Sequence, residues 1–148
     1  MLKCMIRILS LRDSINIPAV ARMILEGKFR MSPKIPIVFA CSGCSNAGQL
    51  AGRVALELDR RGIAEMSCLA GVGAAKPLFL NKLKDRQVWI IDGCPINCSL
   101  GVFDQVHERA AVHIRLHDLG IKKNAPQPEG DDFDGLMQAV VEQASVGS

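Results

Sequence analysis

Four cysteines fall in two short-spaced pairs, Cys41-Ser42-Gly43-Cys44 and Cys94-Pro95-Ile96-Asn97-Cys98. Each pair follows an apolar run, Ile35 to Ala40 in the first case and Val88 to Ile91 in the second. In a parallel α/β sheet the turns after the strands share one edge, where ligands bind. The spacing therefore predicts that Cys41, Cys44, Cys94 and Cys98 converge. A Cys-x-x-Cys turn lets two thiolates reach one tetrahedral ion, at about 2.3 Å each for zinc. Pro95 favours a helix whose N-cap is Cys94, which would set Cys98 one turn further on the same face. Both pairs then lie at helix N-termini, where the positive dipole end favours thiolate over thiol. Four thiolates around one divalent ion leave a net charge of about −2, so backbone N–H groups are needed as donors to sulfur. Iron–sulfur ligation also uses four thiolates. Thiol redox or sulfur-transfer chemistry, with Cys41 or Cys94 as nucleophile, is the rival enzyme class.

Other residues carry weaker signals. Cys68 closes a predicted strand and is either a small buried hydrophobe or a fifth thiol able to replace a ligand. Cys4 lies outside the constellation. Asp92, just ahead of Gly93-Cys94, either caps the following turn or orients the thiolate shell. Gly71-Val72-Gly73-Ala74-Ala75-Lys76 lacks the Gly-Lys-Ser/Thr ending of a phosphate loop and reads as a tight turn. His107, His113 and His117 read as surface histidines. No Ser/His/Asp set and no pair of catalytic carboxylates stands out, and the catalytic residues are not legible.

Those thiols need elements to carry them. The 148 residues fit one domain large enough for a proper core. Six cysteines without the spread of a secreted scaffold, and no legible secretory signal, predict a reducing, cytoplasmic setting. No apolar stretch approaches the roughly 20 residues that span a bilayer. With a net charge of only +3 and no basic-aromatic surface, neither nucleic acid nor membrane is an expected partner. A small molecule or a protein is expected instead. The charge is unevenly placed: Met1 to Arg30 holds six basic residues and two acidic ones. Residues 1–33 read as a basic N-terminal extension, either an accessory piece ahead of a start at Met31 or an arm for an acidic surface.

Ile35 to Ala40 reads as a strand buried on both faces. Asn46 with Gln49 has capping-box spacing, and Leu50, Ala51, Val54, Ala55 and Leu58 form the apolar stripe of a helix that Gly62 ends. A second strand is predicted over 64–69 and a short helix over 77–84. The third strand covers 87–92, followed by a helix from Pro95 to about Arg109. Ala111 to His117 alternates as a half-buried edge strand. Phe133, Leu136, Met137, Val140 and Val141 mark a last amphipathic helix with acidic residues at its start. The β-α alternation predicts an α/β fold: a Rossmann-like or flavodoxin-like three-layer sandwich around a mostly parallel four-stranded sheet. In a 2-1-3-4 strand order, the first and third strands are neighbours and their cysteine pairs flank one crevice.

Three spaced blocks together resemble the DGC domain family, named for its Asp-Gly-Cys motif. They are Cys41-Ser42-Gly43-Cys44-Ser45-Asn46-Ala47-Gly48-Gln49-Leu50, Met66-Ser67-Cys68-Leu69-Ala70-Gly71-Val72-Gly73, and Asp92-Gly93-Cys94-Pro95-Ile96-Asn97-Cys98. His117 to Lys123 is also similar. The resemblance covers residues 35 to 123 and makes 34–148 a single DGC-like domain. It implies zinc held by four cysteines. Residue by residue these are Cys41, Cys44, Cys94 and Cys98, with Cys68 as an alternative ligand. It implies no reaction.

Overall fold

The computed structural model describes residues 34–146. The expectation of a basic extension over 1–33 lies outside the described residues. Four parallel strands form one sheet: β1 (Ile37–Ala40), β2 (Glu65–Met66), β3 (Val88–Asp92) and β4 (Val112–Arg115), in the order β2-β1-β3-β4. The expected 2-1-3-4 order is thus the observed one. Among the described residues, five helices connect and flank the strands: α1 (Asn46–Arg60), α2 (Leu69–Gly73), α3 (Pro77–Leu83), α4 (Cys98–Gln105) and α5 (Gly130–Val146).

Strand alternation sorts the core into two layers, because successive side chains point to opposite faces. Val38 and Ala40, Trp89 and Ile91, and Val112 and Ile114 face α1 and α5, meeting Leu50, Val54, Leu58, Phe133, Met137 and Val140. Ile37 and Phe39, with Val88 and Ile90, face the other way onto Val72, Leu83 and Phe103. The Phe39 and Phe103 rings meet edge to face, with centroids 5.1 Å apart. The fold is therefore α/β with helices on both faces of an all-parallel sheet. At the opposite edge from the cysteines, Arg86 donates to the carbonyls of Ile35 and Pro36 and to Glu65. That bond, with one from Lys82, holds the Glu65 carboxyl below its ordinary range.

Local chemistry moved several boundaries. The second strand shrinks to Glu65–Met66 because Cys68 turns the chain into α2, its Sγ accepting from Gly71 N at 3.4 Å. The glycine-rich stretch is accordingly helix at Gly71 and Gly73, not a turn. A Cβ at Gly71 would stand 2.3 Å from the Phe79 ring, so glycine lets α3 pack there. Ser45, not Asn46, caps α1: its Oγ accepts from Gly48 N at 3.2 Å. Gly62 follows the end of α1 with φ +66, as expected of a helix stop. The fourth helix starts at Cys98 instead of Pro95, for a reason given below.

Candidate functional site

The cysteine pairs occupy the C-terminal ends of the neighbouring strands β1 and β3. From there α1 leaves on one face of the sheet and α4 on the other, since their buried residues belong to opposite layers. This is the divergence of connections that opens a crevice in such folds.

Cys41 continues β1, its N–H donating to Ile91 O at 3.1 Å. It is buried, and its Sγ accepts from Gly93 N at 3.1 Å. Burial pushes the thiol up to about 11, against the partial relief of the Gly93 N–H. The charges of Asp92, Cys94 and Cys98 push in the same direction as burial. Gly93 is required here. A Cβ would lie 2.1 Å from Ala47 O, so only glycine lets the backbone reach both Cys41 and the start of α1.

Asp92 answers the question that its sequence position left open. It is 1% exposed, and its carboxylate accepts from Ser99 N at 2.9 Å and Leu100 N at 3.3 Å. It thus caps α4 from the preceding strand. The residue in the N-cap place, Asn97, has φ 57 and makes no cap bond of its own. Because the cap comes from Asp92, helix begins at Cys98, and Cys94 sits in the turn before it. The expected stacking of Cys94 and Cys98 on one helical face is therefore not observed.

His113 is the residue that sequence reasoning missed. Its Nε2 lies 3.0 Å from Asp92 Oδ2, with the side chain only 22% exposed. The signal was present in the alternation of β4: Val112 and Ile114 are buried in the α1 and α5 layer, so His113 must face the layer of α4. His107 and His117 are exposed, as expected.

The remaining thiols are more open. Cys44, Cys68 and Cys98 are exposed and Cys94 is half-buried. Cys68 is not a buried hydrophobe; it caps α2. Through the Gly93 N–H, the structure sets Cys41 beside the turn that carries Cys94. Among the described residues, however, no three His, Cys, Asp or Glu side chains are gathered as a group able to hold a metal ion. The donor set suits a soft divalent cation in its chemistry, but its side chains do not form a closed shell. On either side of Cys98, Asn97 Oδ1 and Ser99 Oγ are buried without a hydrogen-bond partner, so the turn holds polar groups with unmet demand.

Asn46 organises the same edge. Its side chain bonds the carbonyls of Lys122 and Ala125 and the N–H of Asn124, while Gln127 Nε2 donates to Asn46 O at 3.0 Å. The loop after β4 is thereby tied to the N-terminus of α1, beside Cys44. Among the described residues no helix is long and apolar enough to cross a membrane.

An all-parallel α/β sheet with cysteine pairs following two neighbouring strands at its C-terminal edge defines the class of protein. The DGC domain family matches residues 37–140, and the chain belongs to that family. It is also similar to the anaerobic and virulence modulator AnvM of Pseudomonas aeruginosa, at 44% identity over 113 residues, covering 74% of this chain and 86% of the relative. No solved structure matches the chain.

Proposed function

We propose that this chain binds zinc through thiolates at the C-terminal edge of the sheet. Cys41 is the inner ligand, Cys94, Cys98 and Cys44 complete the set, and Cys68 is able to replace one of them. The observation that carries this reading is the placement of Cys41: it is buried at the end of β1, and its Sγ accepts from Gly93 N at 3.1 Å, which sets it against the turn that carries Cys94. Burial favours its neutral form until a cation arrives. A bound divalent cation supplies the charge that turns such thiols into thiolates, so uptake releases protons. The Gly93 N–H is already in place as a donor to Cys41 sulfur. The exposed side chains of Cys44 and Cys98 have the rotamer freedom to turn inward. A domain with two packed layers does not need the metal to fold, which makes an exchangeable site more fitting than a structural one.

Thiol redox or sulfur transfer is the second reading, favoured by exposed thiols at a ligand-binding edge and by a relative whose name refers to anaerobic conditions. Its nucleophile would be Cys94 in preference to Cys41, because a thiol raised to about 11 is a poor one at neutral pH. An iron–sulfur cluster on the same thiolates is a third occupant.

Substitution tests the shared site. Cys41→Ser and Cys94→Ser, one in each pair, are each expected to abolish most of the zinc content measured by elemental analysis. Unchanged zinc in either variant removes that residue from the site and overturns the shared-site reading.

A further inference from the structure

We infer that His113 is a positioning residue for the thiol turn: through Asp92 it holds the start of α4, and with it Cys94 and Cys98, in place. The inference deepens the thiol-site reading above and rests on it.

Three elements meet at the Asp92 carboxylate. Oδ1 accepts from Ser99 N at 2.9 Å, and Oδ2 is shared between Leu100 N at 3.3 Å and His113 Nε2 at 3.0 Å. With both Asp92 oxygens accepting from backbone N–H groups, the imidazole is assigned as the donor, through Nε2–H. A carboxylate that is 1% exposed cannot turn to water for a replacement donor. The helix it caps has no cap bond from its own N-cap residue, Asn97. The grip of β3 on α4 therefore depends on Asp92, and the orientation of Asp92 depends on His113.

The thiols lie at this joint. Cys98 is the first residue of α4, and Cys94 stands two residues after Asp92. His113 arrives from β4, where it registers opposite Ile90. An edge strand with no thiol of its own thus helps set the geometry of two of the four cysteines. Loss of the imidazole removes one of three donors to a buried acceptor, and the 93–98 turn, with the Gly93 N–H that Cys41 accepts from, loosens while the β1 ladder keeps its backbone bonds.

The test uses the full chain, reduced and free of metal. A short pulse of iodoacetamide is followed by mass spectrometry that reads each cysteine separately. His113→Val is expected to speed alkylation of half-buried Cys94 about fivefold, the order of one lost hydrogen bond, with Cys44 and Cys68 unchanged. His113→Gln, whose amide still donates to Asp92, is expected to restore the slow rate. An unchanged Cys94 rate in His113→Val, an equal rise at every cysteine, or no rescue by His113→Gln overturns the inference. If His113→Val does not fold, His113→Ser removes the same bond and is read in the same way. Since no metal is present, a failed zinc measurement leaves this result standing, and failure here leaves zinc uptake untouched.

Discussion

Cys41 differs from the other described cysteines in that it is buried, and its environment determines its behaviour. Desolvation, against the Gly93 N–H and with the neighbouring charges of Asp92, Cys94 and Cys98, raises it from 9.0 to about 11. In metal-free protein at neutral pH it is expected to alkylate about a hundredfold more slowly than an ordinary thiol of its exposure, since the thiolate is the reactive form. The stability consequence has a definite sign. Below pH 9.0 the thiol is protonated in both folded and unfolded chains. Between 9.0 and about 11 the unfolded chain ionises first, so folding stability falls as pH rises through that window. Denaturant titrations at pH 8 and pH 10.5 would measure the drop, and Cys41→Ala is expected to remove this part of it. Raised alkylation of Cys41 at pH 7 in the wild type would contradict the burial argument. The sequence placed Cys41, Cys44, Cys94 and Cys98 at the right edge because an apolar run followed by a short Cys spacing is a local pattern. His113 was not legible by itself, because its partner Asp92 comes from another strand and the contact depends on tertiary register.

Elements explain why the motif reads Asp-Gly-Cys. Asp92 ends β3 and caps α4, Gly93 lets that chain touch α1, and Cys94 occupies the turn. A Cβ at Gly93 would meet Ala47 O at 2.1 Å, and backbone cannot move aside as a side-chain tip can. Gly93→Ala is expected to destabilise the protein by about 3 kcal/mol or more, as overpacking against fixed neighbours does. Gly101, in the middle of α4, has nothing within 4 Å of its would-be Cβ. Gly101→Ala is its control, expected to stabilise by about 0.5–1 kcal/mol. Urea midpoints of the two variants would check both signs, and a neutral Gly93→Ala would mean that the close approach is relaxed in solution. The α4 boundary was misread for a related reason. Pro95 is a strong local start signal, but a remote carboxylate supplied the cap bonds three residues later. In the same way Asn46 looked like a cap by spacing, while Ser45 took that role and Asn46 bonded the loop after β4. Period and composition sufficed to locate α1, β1, β3, β4 and α5, whose apolar patterns are local. They failed for β2, which keeps two residues because the Cys68 thiol diverts the chain.

At the scale of the molecule, a 2-1-3-4 parallel sheet brings two segments far apart in sequence to the C-terminal ends of neighbouring strands. The sheet order and the α/β class agree with the β-α alternation of the sequence, and the membership in the DGC domain family agrees with the resemblance carried by the three sequence blocks. The occupant of the thiol edge is the central claim. Metal and cluster content of untagged, anaerobically purified protein, by elemental analysis with a visible spectrum, tests it most directly. The account predicts about one zinc per chain and no colour. A brown protein with iron and sulfide, or a metal-free protein with all its thiols reactive, would contradict it.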